Sequence, residues 1–309
     1  MERRNWYGRD TALQLRMVLT VFLLFLTFLA FGTVLFLLTK AFIFLIIIPI
    51  IGLVVQYFAS DKLVLATTGA HEVTAEQAPK LHAMVERLAQ LADLPKPRVA
   101  IMESSMPNSF ATGRNPKHAV IAVTTGLMNR LTTPEVEAVL AHEMTHIRNR
   151  DMIVMTMASS ILAIASWLTQ ILMWTGMWGG FGGGYGGGRG RDNNSAAFSI
   201  LIVLAVSILT WFVSYVLVNA LSRYREYAAD RGSAILTGAP ENLISALTRI
   251  STEMTRVPTQ DLRQAQPMSA LYIAPPKREY ISEAFSDHPS LQHRIARLQA
   301  MQQRMAGVV

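Results

Sequence analysis

Four long stretches of the chain carry no charged residue, and each is long enough to cross a lipid bilayer as a helix. The hydrocarbon core is about 30 Å thick, which takes about 20 helical residues to span. A buried core helix is the alternative for any one stretch, but four of them in one chain favour membrane spans. The predicted spans are 17–38, 41–60, 152–178 and 196–222.

The spacing of these spans predicts two hairpins. Only Thr39 and Lys40 separate the first two spans, so we expect a tight turn between them. Pro49 would kink the second span without ending it. The predicted organisation has four parts: an N-terminal tail with the first hairpin (1–60), a polar region (61–151), the second hairpin (152–222) and a second polar region (223–309).

The loop predicted between the third and fourth spans, residues 176–195, is dominated by glycine. A phosphate-binding loop is one interpretation, but no Gly-Lys-Ser/Thr sequence follows it and no strand precedes it. RNA binding through an arginine–glycine segment is another. A flexible outer loop explains the composition with the fewest assumptions and is the interpretation that we favour.

The first polar region has the pattern of a mixed α/β domain. Apolar side chains recur at helical spacing behind Pro79, and two later segments have the composition of short strands. The sequence Thr133-Pro134 predicts the start of a further helix, with Thr133 as its N-cap. The other predicted elements are a helix over 78–91, strands over 98–102 and 119–123, and a turn-rich segment over 106–116.

The second polar region is predicted to be largely helical. Apolar spacing indicates helices over 242–250 and 291–301. Prolines punctuate residues 257–276 between them, which predicts a loop that covers another part of the molecule.

Composition excludes several classes of protein. Of the 309 residues, 51% are hydrophobic and only 16% are charged, which argues against a plain soluble enzyme. The chain has no cysteine, and this excludes disulfides, iron–sulfur clusters, cysteine-ligated zinc and thiol nucleophiles. The formal net charge of +7 fits either nucleic-acid binding or the cytoplasmic flanks of membrane helices.

The positions of lysine and arginine predict the orientation in the membrane. The two loops expected outside hold only Lys40, Arg189 and Arg191, whereas the N-terminus and both polar regions hold all the others. By the positive-inside rule, both termini and both polar regions then lie in the cytoplasm. Because the basic residues gather beside the membrane ends, they favour topology and lipid head groups over a nucleic-acid partner.

The chemistry-bearing motif is His142-Glu143-Met144-Thr145-His146, on the helix predicted after Pro134. Histidines four residues apart lie on one helical face, so both imidazoles can bind one zinc ion. Glu143 lies beside them and can deprotonate a water that the zinc activates. A solvated helical face with an accidental histidine pair is the alternative, and the helical context disfavours it.

A catalytic zinc ion needs a third protein ligand. Glu226 is the best candidate, and Asp230 shares its helical face and is placed to orient a liganding histidine. From spacing alone a solvated acidic pair is the better explanation of these two residues. Topology favours the ligand role, because the second hairpin would bring the end of the His146 helix and the start of the Glu226 helix to the same membrane face.

Together these motifs resemble the membrane-bound zinc metalloproteases of the HtpX type, which are relatives of the CAAX prenyl proteases. The resemblance covers nearly the whole chain. It is carried by the segment from His142 to Asp151, by Glu226-x-x-x-Asp230, by 108–113 (NSFATG), and by His288-Pro289-Ser290 with Arg294. CAAX prenyl proteases have more than four spans, so the predicted span count favours the HtpX branch.

The resemblance implies a fold and a set of site residues. The fold is an α-helical membrane protein with four transmembrane helices and a cytoplasmic α+β domain of the zincin (gluzincin) type. One Zn²⁺ per chain is implied, with His142, His146 and Glu226 as ligands, Glu143 as the catalytic base and Asp230 behind a ligand. The remaining matches are His288 and Arg294, which would stabilise the oxyanion or hold the ligands, and Asn108, Ser109, Phe110 and Ala111, which would form an edge for extended substrate.

For His288 the residues alone leave helix capping, before Pro289, and an active-site role equally open. The resemblance also implies a multi-pass protein of the bacterial inner membrane that cleaves misfolded or damaged membrane proteins, or unfolded polypeptides, on the cytoplasmic side. A membrane adaptor with a catalytically silent zinc site and a CAAX-type processing protease are the alternatives. The sequence leaves the oligomeric state and the cleavage specificity open.

Overall fold

The computed structural model describes residues 10–39, 51–52, 54–55, 58, 62–156, 158, 163–164, 166–167, 170, 193–254, 273 and 286–307. The second and third predicted spans, the glycine-rich loop and the 257–276 segment lie largely outside these residues.

The described residues form long helices and four short strands, and the last three strands follow one another without an intervening α-helix. The helices are α1 (Thr11–Thr39), α2 (Pro79–Ala92), α3 (Thr125–Arg130), α4 (Thr133–Asn149), α5 (Asn193–Thr237), α6 (Pro240–Met254) and α7 (Leu291–Met305). The strands are β1 (His71–Glu72), β2 (Arg98–Met102), β3 (Ser109–Thr112) and β4 (Val120–Thr124). Residues 62–68 and 151–156 are also helical.

Helices α1 and α5 pack along each other and carry the membrane character of the fold. Within the described residues, two apolar helical segments are long enough to cross a membrane, judged by length and composition: Thr11–Val34 and Leu201–Thr237. Leu24 of α1 and Leu221 of α5 are buried in one small cluster between the helices. Leu15 and Val18 are more than 60% exposed, and an apolar surface of this kind suits contact with lipid.

The α+β domain is built on a four-stranded sheet in the order β1-β2-β4-β3. Strands β2 and β4 are parallel, with Ala100 opposite Ala122, whereas β1 and β3 run antiparallel to their neighbours. All five residues of β4 are buried, as expected for the centre of a sheet covered on both faces. Strand β3 is therefore an edge of the sheet.

Helix α4 is the centre of the domain. Val139, Leu140 and Met144 pack in the main core with residues of α2, β4 and α6. The helix starts with a capping box, in which Thr132 and Glu135 each satisfy a backbone N–H of the other. It ends at Arg150, whose φ of 56° turns the chain in the left-handed conformation. Every residue from 138 to 147 is buried, so the side chains in this part of α4 are held in place from all sides.

Several predicted elements are confirmed, and two predictions are wrong in detail. Strand β2 has the predicted bounds, and helices α2, α6 and α7 include or nearly match their predicted ranges. The N-cap of α4 is Thr132, because its side chain rather than that of Thr133 completes the capping box with Glu135. The turn-rich 106–116 contains strand β3, because pairing with β4 supplies the hydrogen bonds that local sequence does not.

Candidate metal centre

Helix α4 presents two histidines to one point. His142 and His146 are four residues apart, and their Nε2 atoms lie 3.1 Å from each other. Both side chains are buried, and their rings meet edge to face with centroids 4.7 Å apart. Two buried imidazoles with facing Nε2 atoms form a site that favours a cation.

Helix α5 supplies the third ligand atom from across the domain. The Glu226 carboxylate lies 3.5 Å from His142 Nε2 and 3.4 Å from His146 Nε2. For bond lengths of about 2.0–2.1 Å, a tetrahedral ion separates its ligand atoms by about 3.3–3.4 Å. The two Nε2 atoms lie 3.1 Å apart, and each has a different oxygen of Glu226 nearby, Oε2 at 3.5 Å from His142 and Oε1 at 3.4 Å from His146, so the three side chains surround one point at close to the required spacing.

The polar atoms at this point also call for a cation. Glu226 is 6% exposed, and among the described residues its Oε2 atom accepts no hydrogen bond. Arg294 Nη1 lies 3.5 Å from that oxygen without donating a hydrogen bond to it, so a bound cation would be the close partner that this buried carboxylate oxygen lacks. His142, His146 and Glu226 are thus a buried set of three donors that could hold one metal ion.

Behind His142 lies a carboxylate that is itself held by an arginine. Asp230 Oδ1 lies 3.1 Å from His142 Nδ1, one turn along α5 from Glu226. Arg294 of α7 donates to both oxygens of Asp230, from Nε at 2.8 Å and from Nη2 at 2.6 Å. This forked pair is buried, with Arg294 only 2% exposed, so α7 fixes the position of the carboxylate that faces His142.

A second carboxylate, which the sequence analysis did not identify, lies behind His146. Asp151 Oδ2 is 2.7 Å from His146 Nδ1, and Arg225 Nε is 3.3 Å from the other oxygen of Asp151. The left-handed turn at Arg150 folds the chain back, which places Asp151 beside the last turn of α4. The available signal was that Asp151 belongs to the segment from His142 to Asp151 that carries the family resemblance.

These carboxylates set the charge on the imidazoles. Burial acts to lower the pKa of His146, but Asp151 and Glu226 outweigh it and raise that pKa to about 10. Burial likewise opposes the charged form of His142, and the carboxylates of Asp230 and Glu226 raise its pKa above the ordinary value. Because a metal ion binds neutral imidazole, binding at neutral pH displaces protons from the site.

Glu143 lies between the metal ligands and strand β3. Its side chain is buried, and Ser109 Oγ donates a hydrogen bond to its Oε1 at 2.7 Å. Ser109 is the first residue of β3, so the edge strand fixes the carboxylate that the sequence analysis predicts to be the base.

His288 approaches the same point from the segment before α7. It is 5% exposed, and its Nδ1 atom lies 3.8 Å from Glu226 Oε2. Among the described residues neither of its ring nitrogens has a hydrogen-bond partner. The N-cap of α7 is Ser290, so His288 is not occupied in capping that helix.

The predicted site residues separate into those that line a cleft and those that support it. A cavity of about 470 Å³ opens onto the ligands, Glu143, His288 and residues 109–111 of β3. Asn108 stands just outside, where its Oδ1 accepts a hydrogen bond from the Ile273 backbone N–H at 3.1 Å. Arg294 lies behind Asp230 and also donates to the Ile273 carbonyl, so its position fits support of the ligands better than contact with an oxyanion.

Comparison with known proteins is consistent with this geometry. Residues 75–302 match the model of peptidase family M48. A "Protease HtpX homolog" of Moorella thermoacetica is 52% identical over 303 residues, covering 98% of both chains. "Protease HtpX homolog 2" of Methanosarcina acetivorans is 48% identical over 312 residues, covering 98% of this chain and 100% of the relative.

A solved structure has the same fold. The crystal structure of S. mikatae Ste24p superposes with a TM-score of 0.55 at 19% identity, covering 94% of this chain and 67% of the other. At that identity the likeness concerns the fold alone.

Proposed function

The chain belongs to peptidase family M48 and is a metalloprotease with membrane helices, and we propose that it hydrolyses peptide bonds at one zinc ion held by His142, His146 and Glu226. The single observation that carries the proposal is the buried triangle of ligand atoms with Glu143 beside it. Zinc is the metal that two imidazoles and one carboxylate with an open position typically bind in a hydrolase.

In this proposal each residue near the metal has a distinct task. A bound zinc ion would supply Lewis acidity, which lowers the pKa of water and polarises the substrate carbonyl. Glu143 takes the proton of the attacking water and passes it to the leaving amine. Ser109 holds Glu143 in position through the 2.7 Å hydrogen bond. His288, buried and with uncommitted ring nitrogens, donates a hydrogen bond to the developing oxyanion.

The substrate backbone binds along β3 in this proposal. Among the described residues the strand is an edge of the sheet, and residues 109–111 line the cleft, so an added strand could pair with it there. Recognition through main-chain hydrogen bonds tolerates many side chains, which suits a protease with diverse unfolded or damaged substrates.

We place the active site on the cytoplasmic side of the bacterial inner membrane, with four spans. The support is the distribution of lysine and arginine, which crowds both polar regions and spares the predicted outer loops. The cavity is lined on one side by Val218 of the apolar helix α5 and by Met155 of the helical segment 151–156. A cavity that opens beside a membrane helix suits membrane proteins as substrates, and we propose a role in their quality control.

The test is cleavage of an unfolded protein by the full-length chain in detergent. We expect zinc-dependent cleavage by the wild type and a kcat about 10²–10⁴-fold lower in Glu143→Gln, with unchanged zinc content. Glu137→Gln is the matched control, because Glu137 lies on the same helix but pairs with Arg87 away from the cleft. Wild-type rates in Glu143→Gln would remove Glu143 as the base. A zinc-loaded wild type that cleaves neither unfolded nor membrane substrates would favour the adaptor alternative.

A further inference from the structure

A second cavity, separate from the cleft, lies where the N-terminus of α1 meets α5 and α7. Its volume is about 370 Å³, room for roughly a dozen water-sized groups. Arginines dominate its polar lining: Arg231 comes from α5, and Arg297 and Arg304 come from one face of α7. The catalytic mechanism uses none of these three residues.

The two acidic residues of this cavity are already compensated. Asp230 receives two hydrogen bonds from Arg294. Asp10 caps α1 by accepting from the Leu13 N–H at 3.0 Å, and its other oxygen lies 3.5 Å from Arg297 Nη2. The lining therefore keeps an excess of positive charge.

The arginines are arranged to receive an anion. The Arg297 guanidinium stacks over the Tyr227 ring, 4.5 Å from its centroid, which holds the planar group at the cavity wall. Arg304 lies two turns further along α7 and is exposed, and no acidic side chain of the described residues pairs with it. Guanidinium groups in such a cluster match the geometry of phosphate oxygens.

The position of the cavity favours a phosphate group that belongs to a lipid. It opens beside the first turn of α1, and the next turns expose Leu15, Val18 and Leu19 to the surroundings. An anionic lipid could place its head group in the arginine-lined cavity and its apolar chains against the exposed apolar side chains of α1. Basic pockets between membrane helices are suited to anionic head groups.

We propose that Arg231, Arg297 and Arg304 form a binding site for a phosphate group, carried by the head group of an anionic phospholipid. The site shares Asp230 with the metal centre, since that residue lines the cavity and also lies 3.1 Å from His142. Phospholipid would then secure the contact of α1, α5 and α7 on which the orientation of Asp230 depends.

The test measures the unfolding temperature of the full-length protein in non-ionic detergent during titration with short-chain phosphatidylglycerol. Phosphatidylcholine and inorganic phosphate are the comparison ligands. We expect saturable stabilisation by phosphatidylglycerol that phosphatidylcholine does not produce. Arg304→Gln should raise the half-saturating concentration about fivefold, and Arg297→Gln with Arg304→Gln about 25-fold. Lys80→Gln, an exposed charge loss on α2, should leave it unchanged.

Each outcome decides the proposal. Among the described residues the Arg304 side chain has no hydrogen-bond or ion-pair partner, so Arg304→Gln keeps the fold and tests binding even if the double variant is unstable. Equal stabilisation by phosphatidylcholine, or equal half-saturation in Arg304→Gln, overturns the site. Equal stabilisation by inorganic phosphate that Arg304→Gln weakens keeps the arginine site and overturns the phospholipid as its ligand.

Discussion

The two histidines of the metal centre are held by the same kind of support, built in two different ways. Behind His142, Asp230 accepts two hydrogen bonds from Arg294, from Nε and Nη2, and the pair is buried. Behind His146, Asp151 has the shorter contact to the imidazole, at 2.7 Å, but a single 3.3 Å approach from Arg225. The difference is in the elements involved. The carboxylate behind His142 is held by Arg294 of α7, whereas the carboxylate behind His146 follows directly after α4.

The largest effect on the free energy of unfolding is expected when the buried Arg294 is replaced. Arg294→Met leaves Asp230 buried without its cation, and losing one partner of a buried pair costs about 3–5 kcal/mol. The measurement is chemical unfolding in non-ionic detergent. Arg297→Met, one turn along α7 and 46% exposed, is the control and should cost less than about 1 kcal/mol. Equal losses in the two variants would mean that the pair with Asp230 does not stabilise the fold.

The second prediction concerns pH, and it tests the support behind His146. Below its pKa of about 10, the imidazole in the metal-free protein carries a proton that the metal must displace. Zinc affinity should therefore rise with pH, by about tenfold per unit for each proton released, or at least about 100-fold from pH 6 to pH 8. Competition with a chelator of known pH dependence measures it. Asp151→Asn lowers the pKa of His146 and should make the rise shallower, whereas a flat profile in the wild type would contradict the assigned charge state.

The two aspartates can be compared directly by the same neutral substitution. Asp230→Asn and Asp151→Asn each remove the carboxylate that orients a ligand, and such changes cost about 10–100-fold in metal affinity. Asp230→Asn also removes the charge to which buried Arg294 donates two hydrogen bonds, whereas Asp151 has a single 3.3 Å approach from Arg225, so Asp230→Asn should lower the free energy of unfolding more than Asp151→Asn does. Affinity for zinc and unfolding in the zinc-free protein separate the two effects. A larger unfolding penalty for Asp151→Asn would reverse the proposed ranking.

The smallest effect is expected at the second arginine. Arg225→Gln removes one 3.3 Å approach to Asp151 but keeps the contact between Asp151 and His146. Because Asp151 keeps its 2.7 Å contact to His146, zinc affinity should fall by no more than about fivefold, less than the loss of about 10–100-fold expected when the orienting carboxylate itself is removed. A loss as large as that of Asp151→Asn would show that Arg225 is essential to the support.

The sequence predicted the parts of this centre that depend on one helix. His142, Glu143 and His146 follow from helical spacing, and the start and core face of α4 follow from its proline and apolar pattern. The pairing of Glu226 with these residues depended on the predicted membrane hairpin, because nothing local relates residues 80 positions apart. Whether the chain crosses the membrane four times stays a prediction.

The parts that the sequence missed depend on single backbone positions or on packing. Asp151 reaches His146 because Arg150 adopts the left-handed backbone conformation. Residues other than glycine rarely adopt that conformation, so an arginine at this position did not predict the turn. Strand β3 has four residues within a turn-rich segment, and its strand character comes from pairing with β4. The ion pair between Arg294 and Asp230 forms only when α7 packs against α5 and α6, with Leu298 in the main core.

The most direct test of the account is X-ray absorption at the zinc edge, on the purified wild type and on Glu226→Ala. The account predicts about one zinc per chain with nitrogen and oxygen ligands at about 2.0–2.2 Å, no sulfur, and the outer-shell scattering of two imidazoles. Glu226→Ala should lose one light-atom ligand of protein origin, keep both imidazoles and bind zinc more weakly. An unchanged ligand shell and affinity in that variant, or a wild-type spectrum without two imidazoles, would contradict the three-ligand centre.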